Sequence, residues 1–315
     1  MTRVTAPSRL HFGLLNVPND GSPDTSRRFG GVGLMIDRPG IVVTARPAGT
    51  WQSEGMHASR AQLFAHRFIA GLECPPRPLQ ILVERCPAEH TGLGVGTQLG
   101  LAVGKAIALE LGLPELTAVE IAGRVGRGER SAIGVHGFDR GGLIVEPGKR
   151  AGEALSPLLT SVRLPEVWRI AVFVPHSHDT WHGSHEEQAF ANAGTLPRSA
   201  GLTDVLCRIA LLGILPAAVG GDLPAFGEAV HEFNRLAGEP FAAAQGGSYS
   251  SGEVAELIAT LRQLGVAGTG QSSWGPAVFA IVDSHDRAAW LLDQMTGRAR
   301  GWIASASEGS AFERG

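Results

Sequence analysis

Between residues 79 and 111 an alternating strand-like run, Leu79-Gln-Ile-Leu-Val-Glu-Arg85, passes through Gly92-Leu-Gly-Val-Gly-Thr97 into a helix rich in Ala, Leu and Val. A helix starting inside such a loop presents unpaired N–H groups and about half a positive charge. Glycine lets those amides wrap an anion, which is why phosphates settle at such places. The segment therefore reads as a β–loop–α unit that either cradles a phosphate or makes a tight structural turn. It is not a Walker A loop, because no Lys-Ser/Thr follows, nor a GxGxxG after the first strand of a dinucleotide fold. Gly92, Leu93, Gly94, Gly96, Thr97 and Gln98 are the candidate cradle, Thr97 and Gln98 adding side-chain donors.

The rest of the 315-residue chain alternates strands and helices. Residues 3–15 and 41–46 read as strands around a polar insert, 16–29. Residues 58–72 carry Leu63, Phe64, Phe68 and Ile69 at helical spacing. Thr117 with Glu120 forms a capping box, and the glycine-rich stretch 131–147 reads as a strand pair. A Gly/Pro/Ser-rich segment, 149–165, marks a boundary between units 1–155 and 156–315. In the second unit, 169–174 and 277–282 read as strands and 301–305 as a possible last one; 203–215, 222–236 and 286–295 read as helices. Ser250 and Glu253 suggest the capping box of another helix ending at Gly265, and 268–275 reads as a loop. Hairpins among the alternating elements favour an α+β fold over a doubly wound sheet.

Composition excludes several classes. A formal charge of −3 with no basic block argues against nucleic acid as partner. Cys74, Cys86 and Cys207 are far apart, which points to a reduced cytoplasmic chain without a zinc site or disulfide frame. No apolar run follows the N-terminal charge, so no signal peptide is expected. The longest apolar stretch, 209–219, is about half of the ~20 residues that span a bilayer and contains Gly213 and Pro216, so no membrane role is expected. A homodimer is left open.

Three pieces in order resemble the GHMP kinase superfamily: Ala6-Pro-Ser-Arg-Leu-His-Phe-Gly13, Pro87 with Gly92-Leu-Gly-Val-Gly-Thr97, and Gly268-Thr-Gly-Gln-Ser-Ser-Trp-Gly275. The resemblance implies an N-terminal domain like ribosomal protein S5 domain 2, a ferredoxin-like C-terminal domain and an active site between them. Two features depart from the kinases. Val95-Gly96-Thr97 replaces the paired serines, one of which helps to hold magnesium there, and Ser131-Ala-Ile-Gly134 puts glycine where a catalytic aspartate stands. An ATP-dependent small-molecule kinase is thus the alternative reading, and no ATP is expected.

With Arg28-Phe-Gly-Gly-Val-Gly-Leu34 and Gly126-Arg-Gly-Glu-Arg-Ser-Ala-Ile-Gly134 added, the chain is more similar to the β-ribofuranosylaminobenzene 5′-phosphate synthases, a non-kinase branch. That resemblance implies condensation of phosphoribosyl pyrophosphate with 4-aminobenzoate or 4-hydroxybenzoate, releasing pyrophosphate and CO2, in tetrahydromethanopterin biosynthesis, with Mg²⁺ as expected cofactor. On it, His11, Arg28 and Glu186 are the candidate catalytic residues. Ser8, Arg9, Arg27, Arg130, Thr269, Gly270, Gln271, Ser272 and Ser273 are the candidate substrate contacts. Arginine suits the 5′-phosphate and the benzoate carboxylate because its fork matches both. The run His176-Ser-His-Asp-Thr-Trp-His-Gly-Ser-His-Glu187 offers metal-ligand chemistry at irregular spacing, and reads first as a loop over the cleft.

Overall fold

The computed structural model describes residues 1–16, 27–176 and 201–315. Glu186, nearly all of the histidine-rich run and most of the polar insert lie outside the described residues.

Two long antiparallel strands, β1 (Thr2–Asn16) and β2 (Phe29–Pro47), form the spine. They pair in register except at bulges between Ala6 and Ser8 and between His11 and Gly13. A bulge turns the strand locally and re-aims side chains; here the second one lies beside His11, at the edge of the cleft described below. The far half of β2 pairs with β4 (Leu79–Arg85), itself parallel to β3 (Gln52–Gly55); the near half pairs with β5 (Leu143–Glu146), which carries β6 (Thr160–Val162). The last strand, β11 (Ala311–Arg314), returns across the molecule to pair with β1. Helices α1 (Ala58–Ala70), α2 (Val95–Leu111), α3 (Ala118–Val125) and α4 (Ile133–Arg140) complete this half. α2 is buried on nearly all sides, as its uniformly apolar sequence requires, and the capping box of Thr117 and Glu120 opens α3.

The stretch expected as a strand pair at 131–147 is α4 followed by β5. Gly134 and Gly137 leave gaps in the apolar period of α4, so only Ile133, Val135 and Phe138 carry its buried face and the helical spacing is masked.

A second sheet, ordered β10-β7-β9-β8 and antiparallel throughout, contains β7 (Arg169–Pro175), β8 (Gly268–Gln271), β9 (Val278–Val282) and β10 (Ala299–Ala304). Numbered within the sheet this order is 4-1-3-2, the β-α-β-β-α-β arrangement of ferredoxin-like domains. Its helices are α5 (Leu202–Ile209), α6 (Leu215–Gly220), α7 (Leu223–Gly238), α8 (Ala242–Gln245), α9 (Gly252–Gln263) and α10 (His285–Gln294). Gly268–Gln271, expected within a loop, is the edge strand β8, whose side-chain-poor backbone lies directly against α7. The cap of α9 is Ser251, which accepts from the Val254 N–H, one residue later than expected; the Ser250 N–H instead donates to Gln271 Oε1.

α5 and α6 join through a π-helical turn, Ala210–Ile214, into one apolar run, Leu202–Gly220, with mean hydropathy 1.9. By length and composition that run is sufficient to cross a membrane, which corrects the shorter stretch read from the sequence. One side, including Leu206, Ala210 and Ile214, packs into the core, while Leu211, Leu212 and Val219 are exposed.

α7 packs on both β8 and β1 and so ties the two sheets together. Asn234 is the tie: Nδ2 donates to the carbonyls of Phe12 (2.6 Å) and Gln271 (2.8 Å), while Oδ1 accepts from the Gln271 N–H. All three bonds are buried, so neither half keeps its edge satisfied without the other.

Candidate active site

Where β1 passes the start of α2, the Arg9 N–H donates to the Leu93 carbonyl at 2.9 Å. Gly92 and Gly94 both take left-handed φ values (87° and 72°), which turn the chain into the helix. The helix start, Arg9 and the segment 126–131 enclose an open cleft of about 590 Å³. Its charged walls hold four arginines, Arg9, Arg60, Arg127 and Arg130, against Glu89 and Glu129. Arg60 Nη1 hydrogen-bonds Glu89 Oε1, and Arg127 Nη2 reaches Thr97 Oγ1 at 3.5 Å. Burial tends to raise the Glu89 pKa, but the hydrogen bond and charge of Arg60 outweigh it and hold the carboxyl below its usual range. Burial and the neighbouring Arg60 lower the Arg127 pKa, the mark of cations crowded together. A concave surface with excess fixed positive charge beside a helix N-terminus is suited to a multiply charged anion.

The second half supplies the opposite rim. Ser272 Oγ donates to the Gly92 carbonyl (2.7 Å) and accepts from the His11 N–H (3.0 Å), and the Ser273 N–H donates to the His11 carbonyl (3.0 Å). Ser273, His11, Leu14 and Trp274 line both the cleft and an adjoining recess whose further walls include Phe12, Phe241 and Tyr249. The rings of Phe241 and Trp274 meet edge to face at 4.4 Å. The recess is small, about 50 Å³, well short of the ~150 Å³ of a cavity that encloses benzene, so it offers an aromatic wall rather than a closed ring pocket. Two buried polar atoms at its walls, His11 Nε2 and the Tyr249 hydroxyl, have no hydrogen-bond partner. Burial, with Arg9 nearby, holds the His11 pKa well below its usual value, and burial pushes the Tyr249 phenol up to about 12. At neutral pH both are therefore uncharged hydrogen-bonding groups.

Of the residues singled out from sequence, Arg9, His11, Gly92, Leu93, Gly94, Gly96, Thr97, Arg130 and Ser273 line the cleft. Ser272 ties its two walls together, and Gln271 lines the recess. The others lie elsewhere. Gln98 is fully buried and spends its amide on the Gly134 carbonyl (2.7 Å), tying α2 to α4. Ser8 is buried and donates to the Pro39 carbonyl. Arg27 pairs with Glu153 (3.0 Å) and the Gly148 carbonyl (2.7 Å). Arg28 forms a backbone bridge with Lys149, outside the cleft walls. Thr269 and Gly270 are covered by α7, the Thr269 carbonyl accepting from His231 Nδ1. Arg60, Glu89 and Trp274, which line the cleft, were not among the sequence candidates.

Residues 214–299 match the family described as GHMP kinases, C-terminal. The chain is 32% identical to the β-ribofuranosylphenol 5′-phosphate synthase of Archaeoglobus fulgidus, over 90% of this chain and 89% of that protein. It is 30% identical to the protein of the same name from Methanothermobacter thermautotrophicus, over 89% and 88%.

The chain belongs to the β-ribofuranosylphenol 5′-phosphate synthase family.

Solved structures show the fold this family shares with the kinases. A putative sugar kinase from Campylobacter jejuni superimposes with a TM-score of 0.70 at 15% identity, covering 99% of this chain and 98% of that one. A putative homoserine kinase from Listeria monocytogenes gives 0.66 at 16%, covering all of both.

At the glycine loop of this chain guanidinium groups, rather than oxygen ligands, stand nearest Gly96. A Cβ built on Gly96 would lie 2.5 Å from Arg60 Nη2 and 3.2 Å from Arg127 Nη2, so guanidinium groups occupy the space beside the helix start. A magnesium ion takes oxygen ligands at about 2.1 Å, waters and substrate phosphates included, and the carboxylates that line this cleft are Glu89 and Glu129. Among the described residues, no group of three or more His, Cys, Asp or Glu side chains gathers to hold a metal.

Proposed function

We propose that this chain joins the ribosyl carbon of phosphoribosyl pyrophosphate to the carboxyl-bearing ring carbon of 4-hydroxybenzoate or 4-aminobenzoate, releasing pyrophosphate and CO2. The observation that carries the reading is the shared wall. A cleft with four arginines opens, past His11 and Ser273, onto a small recess walled by aromatic side chains. The name of the archaeal relatives, a ribosyl phenol phosphate synthase, fits such a pair of sites.

In this reading the cleft takes the diphosphate and the 5′-phosphate, and the ring lies against the aromatic wall at the mouth of the recess with its carboxylate end facing the cleft. The C1′–oxygen bond breaks and its electron pair leaves with pyrophosphate. Ring electrons form the new C–C bond, and the pair of the ring–carboxylate bond returns to the ring as CO2 departs. For either substrate the loss of CO2 restores the aromatic ring with its amino or hydroxyl group intact, so no proton leaves in the balance and no strong base is required. Arg9, Arg130 and the amides of 92–97 stabilise the growing negative charge on the leaving group. Neutral His11 offers Nε2 as a hydrogen-bond partner at the junction of the two sites, rather than a positive charge. The aromatic wall keeps water from the oxocarbenium-like carbon. The enzyme is proposed to act in the cytoplasm on free small molecules.

Incubation with phosphoribosyl pyrophosphate and either benzoate labelled at the carboxyl should release labelled CO2 and pyrophosphate in equal amounts. No release from either benzoate would overturn the reading, and substrate-dependent ADP formation from ATP would replace it with the kinase alternative.

A further inference from the structure

We propose that Arg60 and Arg127 grip a diphosphate directly over Gly96, so that the glycine loop holds its anion through two guanidinium groups and needs no bridging divalent cation. This rests on the reading that the ligand of the cleft carries a diphosphate.

The geometry is specific. Arg60 comes from α1 and Arg127 from the segment after α3, yet their Nη2 atoms converge on Gly96 in the first turn of α2, where no side chain stands. Glu89 holds the other side of Arg60, with His57 and His90 each 3.9 Å from its carboxylate. Arg127 is fixed by Thr97, and its Nε is enclosed without a hydrogen-bond partner. Two like charges are thus held side by side by groups that do not fully neutralise them. A diphosphate relieves that repulsion, accepting paired N–H bonds from each fork while its oxygens meet the amides at the start of α2. A hydrated metal ion at the same place would have to displace both arginines. Glycine at 96 is then a requirement of the arginine clamp, because any side chain there would push the Arg60 fork away.

The test is calorimetric titration of inorganic pyrophosphate into the full chain, once in EDTA and once in excess Mg²⁺. Binding should be present in EDTA and change less than about threefold with Mg²⁺. Arg60→Gln and Arg127→Gln should each weaken it at least tenfold at unchanged melting temperature, and Arg60→Lys should not restore it, since lysine lacks the fork. Gly96→Ser should weaken it likewise. Binding that appears only with Mg²⁺, no binding under either condition, or glutamine variants that bind like the parent would each overturn the proposal. The carboxyl-label assay separates it from the synthase reading. Pyrophosphate binding in EDTA without CO2 release from either benzoate leaves the clamp standing and removes the synthase, while CO2 release with Mg²⁺-dependent pyrophosphate binding does the reverse.

Discussion

Gly275, at the end of the C-terminal glycine motif, lies backbone to backbone against Gly92 of the anion loop: a methyl group on Gly275 would overlap the Gly92 nitrogen and the Thr91 carbonyl. The two motifs, 183 positions apart in the chain, are therefore halves of one interlock, closed by the Ser272–Gly92 hydrogen bond. Backbone cannot yield as a flexible side chain can. Gly275→Ala should cost about 2–3 kcal/mol, lowering the melting temperature by roughly 3–5 °C for a chain of this size, and should open the cleft. Gly220→Ala, at a helical position facing open space, should be neutral or slightly stabilising. Equal melting temperatures for the two variants would show that the halves do not depend on this contact.

His11 gives the fold a pH dependence whose sign follows from its burial. The folded chain holds the imidazole neutral, whereas the unfolded chain protonates it near the ordinary value of about 6.5. Above that value both states are neutral and His11 contributes no slope. Below it the unfolded state binds the extra proton, so stability falls as the pH drops, by at most about 1.4 kcal/mol per pH unit. Denaturant unfolding between pH 5 and 8 should show the parent losing stability below pH 6.5 faster than His11→Gln. Parallel curves would mean that the imidazole protonates freely in place.

The parts of this architecture that were legible in the sequence are those with a local signature. The loop 92–97 is bounded by a strand and a helix, Thr117 and Glu120 form a box within four residues, and β7 and β9 are continuous apolar runs. Arg60 carries no such signal, since an arginine on the polar side of an amphipathic helix looks the same whether it faces solvent or a cleft. Only the packing of α1 on α2 brings it to Gly96. Strand β11 was missed because all four of its residues are exposed, so no alternation betrays it. Gln98 was misread for the converse reason: a polar residue at a helix start resembles a ligand donor, and its burial is set by α4, 36 residues later.

Gln98 should accordingly behave as a structural residue. Gln98→Leu removes the side-chain bond that ties α2 to the Gly134 carbonyl, which still has its place in the hydrogen-bond ladder of α4, at a cost of about 0.5–1.5 kcal/mol. Pyrophosphate affinity of the folded variant should stay within about threefold of the parent, because the amide does not face the cleft. A variant of unchanged stability with lost affinity would return Gln98 to the anion site.

The division of labour between cleft and recess makes a kinetic prediction. Trp274 presents its ring to the recess and packs against Phe241, whereas Arg130 stands on the far, charged wall. Trp274→Ala removes the face on which a benzoate ring would stack, together with the edge-to-face partner of Phe241. The loss of an aromatic contact and its buried area is worth roughly 1–2 kcal/mol, so KM for the benzoate should rise about tenfold with KM for the phosphoribosyl donor nearly unchanged. Arg130→Ala should do the opposite, raising KM for the phosphoribosyl donor and sparing the benzoate. Two-substrate steady-state kinetics on both variants checks this crossed pattern; if both substrates respond alike in both variants, the cleft and the recess are one undivided site.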